Sequence, residues 1–187
     1  RRPLDREDQV EALRLLELQR HAMLMYTSCG WFFDELSGIE TVQVIQYAAR
    51  AIQLARDVTG VDLEPAFLEH LAPARSNLPV HGDGRSVYER FVKPAVMDRE
   101  KVGAHYAVSS VFEAYPPKAR IYSFTVEQEE HQMLTAGRTR LATGRAKVVF
   151  EVTREQDVIT YGVLHLGDHT LNCGVRHYQG PEAYGLA

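Results

Sequence analysis

A chain of 187 residues, 45% apolar and 25% charged, is long enough for one ordinary domain or two small ones packed together, and its composition is that of a soluble globular protein with a core of its own. The formal net charge of -4 is spread over 21 basic and 25 acidic residues along the whole chain, so there is no basic stripe to neutralise a phosphate backbone, and nucleic acid is not an expected partner. Apolar runs fall far short of the roughly 20 residues that cross a bilayer; Cys29 and Cys173 are too few and too far apart for a disulfide framework, so a cytoplasmic setting without a membrane partner is expected.

The chain opens Arg1-Arg2-Pro3 without a methionine, a start that suggests excision from something longer, although a trimmed N-terminus would look the same. From about Arg6 to Tyr26 the residues Val10, Leu13, Leu16, Leu18, Met23 and Leu24 recur at helical spacing, with Asp5 available as a cap and acids in the first turn. A second helix is predicted from about Ile39 to Val58, opened by Gly38 and closed by Gly60. Its alanines imply close packing against another helix. A short helix over Glu64 to Leu71 accepts Pro65 in its first turn.

Proline, serine, asparagine and glycine crowd Pro73 to Gly84, which reads as a loop. The helical period resumes from Ser86 to Phe112, where Pro94 must kink or divide it, because proline lacks an amide hydrogen and clashes with the preceding turn. At Pro116-Pro117 the character changes. The segments Ile121 to Val126, Arg145 to Thr153, Val158 to Leu166 and Leu171 to Tyr178 alternate β-branched and aromatic residues with polar ones and are predicted strands, the last three antiparallel. Arg154 to Asp157 and Gly167-Asp168-His169 are the predicted turns.

The segment His21 to Thr41 places the only tryptophan, two phenylalanines and three acids between two helices. If Trp31 to Glu35 is a helical turn, Asp34 and Glu35 share a face with Trp31 at spacings of three and four. An indole beside carboxylates binds sugars, the ring covering the apolar face of a pyranose while the acids accept hydroxyl hydrogens. The same residues can equally plug a helix corner and cap the next helix.

The run Met25-Tyr26-Thr27-Ser28-Cys29-Gly30-Trp31-Phe32-Phe33-Asp34-Glu35, together with Ser37-Gly38-Ile39-Glu40-Thr41 and Gln46-Tyr47-Ala48-Ala49-Arg50-Ala51, resembles the C-terminal region of bacterial proteins related to glycoside hydrolase family 57, the α-amylase- and α-mannosidase-like group. Pro79-Val80-His81-Gly82-Asp83-Gly84, Val92-Lys93-Pro94-Ala95-Val96, Ala104-His105-Tyr106-Ala107-Val108-Ser109-Ser110 and Leu164-His165-Leu166-Gly167-Asp168-His169 extend the resemblance over nearly the whole chain. The resemblance implies a domain of uncharacterised function that follows a catalytic barrel. In that family a glutamate nucleophile and an aspartate acid lie on an N-terminal barrel, and a helical region closes over the glucan. Retaining hydrolysis needs two carboxyls about 5 Å apart, and neither motif that would supply them is present, so no catalytic residue and no cofactor are expected here. After about residue 120 the family's helical pattern gives way to the strands.

Other groupings read more simply. His165, Asp168, His169, His177 and Cys173 match no compact zinc spacing, and Asp168 is expected to serve the turn. His81 to Arg85 is a glycine-rich loop before a helix, but it follows no strand; Asp83 or Ser86 is expected to cap that helix. His105 is expected to be a buried, hydrogen-bonded histidine.

The predicted architecture is therefore α+β, with a helical subdomain over residues 1–115 and an antiparallel β-subdomain over 116–187 whose apolar face packs on it. The expected function is a non-catalytic portion of an α-glucan-acting enzyme, with Trp31, Asp34 and Glu35 at the edge of the substrate groove and the N-terminal barrel of the same polypeptide as partner. A purely structural or oligomerising domain and an independent sugar-binding module are the rival expectations.

Overall fold

Local sequence signals set most of the element ends. The computed structural model describes residues 3–180, so Arg1, Arg2 and the last seven residues lie outside the description. The chain is α+β and forms two compact units, Arg1–Val96 and Met97–Ala187. The division falls at Val96/Met97 rather than near Tyr115, for a reason that begins at Pro94.

In the first unit, α1 (Arg6–Leu24) starts where the Asp5 carboxylate accepts the Asp8 amide at 2.9 Å. It lies along α3 (Ile39–Thr59). The buried face of α3 includes Ile45, Ala48, Ala49, Leu54 and Ala55, and short alanine side chains let a neighbouring backbone come close. Gly60 ends α3 at φ 74°, with its amide bonded to the Arg56 carbonyl, a left-handed cap that glycine adopts without steric cost. Along α1 the predicted apolar stripe divides. Val10, Leu13 and Leu18 are half-buried, whereas Leu15, Leu16 and Met23 are exposed, and no residue of α1 is fully buried.

Between them sits α2 (Cys29–Phe32), where Gly30 leaves room for Val44 of α3. The helix α4 (Glu64–Leu71) is followed by a closed loop, then by α5 (Gly84–Val87), a π-turn over Tyr88–Val92 and a 3-10 turn over Lys93–Ala95. A Cβ on Gly84 would stand 2.6 Å from the Leu71 carbonyl oxygen, so only glycine fits there. Ile45, Ala49, Val87, Tyr88 and Val92 form this unit's core. The Tyr88 hydroxyl donates to Glu64 at 2.8 Å, which satisfies the one polar atom of a nearly buried ring.

Pro94 cannot donate into the preceding turn, so the expected kink is a full break. Val96 is extended, and Asp98 then caps a new helix, α6 (Arg99–Ser109), by accepting the Lys101 amide at 2.7 Å. The helical period read from Ser86 to Phe112 thus belongs to two units, and α6 packs on the sheet.

That sheet is a five-stranded antiparallel meander in the order β1 (Lys118–Ile121), β2 (Phe124–Ala136), β3 (Thr139–Phe150), β4 (Gln156–Gly167), β5 (Thr170–His177). The segment Ile121 to Val126, read as one strand, is instead the β1–β2 hairpin, with Tyr122 in the left-handed region at φ 53°. One face buries Val126, Ala142, Ala146, Val148, Ile159 and Val163 against Val102, Tyr106 and Ala107 of α6. Gly103 sets the spacing, because a Cβ there would lie 2.1 Å from the Ile159 Cδ1. Among the described residues no helix is long and apolar enough to cross a membrane.

Candidate functional site

The Trp31 segment is short of the helical turn its spacing suggested. The helix α2 stops at Phe32, and Phe33 is extended at φ -95°, ψ 150°. Asp34 and Glu35 therefore leave the helix and do not share a helical face with Trp31. The indole is 74% exposed, with Phe32 at 71% and Tyr26 at 78%. Phe32 and Phe33 meet edge to face with centroids 5.1 Å apart, an arrangement aromatic pairs favour. These rings do not plug a core.

Glu35 has a different environment. Its Oε1 accepts the Ser37 amide at 2.9 Å, the Ser37 hydroxyl at 2.8 Å and the Ser76 hydroxyl at 2.6 Å, while Oε2 accepts the Asn77 amide at 2.9 Å. The Asn77 side-chain amide also donates to the Asp34 carbonyl. Led by the Ser76 hydroxyl, these donors hold the Glu35 carboxyl down at about 2, because hydrogen bonds to the charged form favour it. A carboxylate with four protein donors has little acceptor capacity left for a ligand. Glu35 ties the Trp31 segment to the 73–84 loop, and Asp34, an exposed residue three positions after Trp31 in the chain, is the segment's other acid.

The 73–84 loop is itself closed. Arg75 and Asp83 form an isolated antiparallel bridge, the Ser76 amide donates to the Gly82 carbonyl at 3.0 Å, and the Gly84 amide to the Ala74 carbonyl at 2.8 Å. Asp83 caps α5, accepting both the amide and the hydroxyl of Ser86 at 2.9 Å. Ser37, Ser76 and Asn77 were not singled out from the sequence. The only signal was the turn-forming composition around Ser76-Asn77, which carries no information about a partner some forty residues away.

Because the folded Glu35 carboxyl sits below its usual value of 4.5, its contribution to stability is complete above that value and is lost as pH falls toward about 2. We expect the Ser37 and Asn77 amide resonances to titrate together with a midpoint near 2, and in Glu35→Gln this step to disappear; a shared midpoint at the ordinary carboxylate value would mean the four donors do not converge.

The remaining groupings have ordinary partners. His177 pairs with Glu100 at 2.9 Å, and the His165 ring meets Phe112 edge to face at 5.1 Å. Asp168 occupies the β4–β5 turn at φ 48°, its carboxylate 3.7 Å from Arg138. No group of three or more metal-ligating side chains occurs among the described residues, and both cysteines are free and exposed. His105 is exposed rather than buried; the buried residue of that pair is Tyr106, because α6 turns position 106, not 105, toward the sheet.

Over residues 1–186 the chain matches the family described as a domain of unknown function, DUF3536. No curated protein and no solved structure matches it.

Proposed function

Because the chain belongs to the DUF3536 family, whose description leaves its activity open, we propose a role from the residues themselves: a non-catalytic, cytoplasmic accessory domain of a family-57-like protein acting on α-glucans. In this reading Trp31 and Asp34 line the edge of a glucan groove completed by a catalytic barrel of the same polypeptide, and Glu35 positions them. The carrying observation is the pairing of an exposed indole with a segment held fixed by a saturated carboxylate. Trp31, Phe32 and Phe33 expose adjacent apolar rings, and a contiguous exposed apolar patch marks a ligand or partner surface. A ring on a tethered segment also loses little entropy on binding. Phe32, Phe33, Leu16 and Met23, also exposed, supply apolar surface for the neighbouring barrel.

Trp31 is the only tryptophan, so its fluorescence is a direct reporter. Titration with maltoheptaose is expected to change Trp31 emission saturably, Asp34→Asn to weaken the response about fivefold, and Trp31→Phe to bind more weakly by calorimetry. The exposed Leu15, Leu16 and Met23 of α1 favour a second reading, self-association. Emission unchanged by sugar, combined with a concentration-dependent dimer in sedimentation that Leu16→Glu dissolves, would replace the first reading by this one.

A further inference from the structure

The sheet of the second unit packs α6 on one face. On the other face, Leu134, Leu141 and Leu164 stand directly opposite one another across β2, β3 and β4. Side chains alternate between the faces of a strand, so these leucines point away from the buried Ala142 and Val163 beside them. Leu134 is 66% exposed, and Leu166, two residues beyond Leu164, is 50% exposed. The solvated face of an antiparallel sheet is ordinarily polar. An in-register leucine row on it is a ridge of apolar surface.

Two residues along the strands, the next row on the same face reads Gln132, Thr143, Gly162 and Gly174. Here the surface sinks into an open trench of about 500 Å³ floored by the two glycines, with Thr160 and Arg176 also lining it. Neither glycine has a left-handed φ, and a Cβ added to either meets nothing within 4 Å. The backbone therefore does not require glycine there, and neither does packing among the described residues. Glycine weakens a strand interior and often marks the close approach of a ligand or another backbone. The missing side chains leave room for a group that the described residues do not supply.

Ridge and trench lie side by side, and that offset names the occupant. A two-fold axis lying across the strands between the two rows exchanges them. It sets Leu164 of one copy over Gly162 of the other, Leu141 over Thr143, and Asn172 over Gly174. The same axis carries Arg145 over Thr139 and Arg176 over Thr170, so the basic side chains do not meet each other. Arg145 is already bonded to Glu129 and Glu130 at 2.7 and 2.8 Å. The four strands β2 to β5 present a face on the order of 700 Å² at ~3.3 Å per residue and ~4.8 Å between strands. That is close to the ~800 Å² per partner of a standard interface. A small ligand in the trench would leave the leucine ridge in water, whereas a second copy covers both.

We propose that this face is a homodimer interface, in which two copies of the chain stack sheet on sheet and the Leu164 of each seats in the glycine trench of the other. Stacked sheets of this kind keep their strands within about 30° of each other. The interface uses neither α1 nor the Trp31 segment and stands whether or not that segment meets a glucan.

The test is sedimentation equilibrium of the full chain, with circular dichroism to follow folding. A concentration-dependent dimer is expected. Leu164→Glu should raise its dissociation constant about a hundredfold, since each copy would bury a charge. Gly162→Val should raise it at least about tenfold by filling the trench, and the fold should persist because the position is open within one chain. Adding Leu164→Ala to Gly162→Val should restore association, because the shortened ridge of one copy clears the filled trench of the other; a merely structural loss would not be rescued this way. If Leu164→Glu fails to fold, Gly162→Val and its rescue decide. A chain still monomeric at about 1 mM, or a Gly162→Val loss that Leu164→Ala deepens, would overturn the proposal. So would a dimer that Leu16→Glu dissolves and the sheet variants leave intact, which would place association on α1 instead.

Discussion

Gly144→Ala is expected to lower the stability of the sheet unit by about 3 kcal/mol, and its melting temperature by on the order of 10 °C. Gly144 sits in β3, opposite His131 on one side and Tyr161 on the other. An added Cβ would stand 2.3 Å from the Glu130 carbonyl oxygen and 2.5 Å from the Tyr161 hydroxyl. The first contact is backbone in a paired strand and cannot swing aside. The second is the far end of a ring that is packed between α6 and the sheet and bonded to His131. Its φ is not in the left-handed region, so the cost is steric and not conformational. Gly162→Ala is the matched control. It lies one strand away, its added Cβ meets nothing within 4 Å, and alanine restricts the unfolded chain more than glycine does, so its effect should stay within about 0.5 kcal/mol. Chemical denaturation of both variants decides the matter, and equal losses would contradict the close approach at position 144.

The contrast between these two glycines marks where sequence reading stops. Periodicity and caps located α3, α4 and the β4–β5 hairpin closely, because a 3.6-residue apolar period, a left-handed glycine and a turn-forming Asp168 are local signals. The strand β2 was missed beyond Val126 because Glu127 to Gln132 is polar throughout. Its strand character comes from pairing: Glu127 meets Lys118 at 3.0 Å and Lys147 at 3.5 Å, and Arg145 bridges Glu129 and Glu130 at 2.7 and 2.8 Å. Cross-strand partners override a weak intrinsic preference. The unit boundary was displaced because α6 is helical and followed helices, whereas its buried face, Val102, Gly103 and Tyr106, is shaped to the sheet. At the candidate site, Trp31, Asp34 and Glu35 stood out by residue type, but the division of labour between Asp34 and Glu35 depends on Ser76 and Asn77, and no spacing rule reaches across that separation. Likewise only strand register brings His131 close to Tyr161.

Arg99→Ala is expected to cost about 3 kcal/mol, although it removes a side chain from only the first turn of α6. Arg99 donates to Glu155 at 2.9 Å and also to Asp157. The Glu155 side chain is only 3% exposed, and it also accepts the Thr153 hydroxyl. Taking away the guanidinium removes the paired cation from a carboxylate held out of water, and an uncompensated buried charge is far more costly than an exposed one. Surface pairs such as Lys118 with Glu127 should be worth little and fade with salt; the Arg99 loss should persist in high salt because the Glu155 carboxylate is shielded from water. The sign of the effect separates a stabilising pair from a costly one merely held in balance. If the loss comes from the stranded charge, Arg99→Met with Glu155→Leu should recover most of it, because an apolar pair of similar volume has nothing to desolvate. If the double variant is instead as unstable as Arg99→Ala, the pair itself contributes net attraction, and docking of α6 against the β3–β4 turn depends on it. Urea unfolding of the three variants at low and high ionic strength distinguishes these outcomes, and a loss for Arg99→Ala that vanishes in salt would show that Glu155 is not shielded from water.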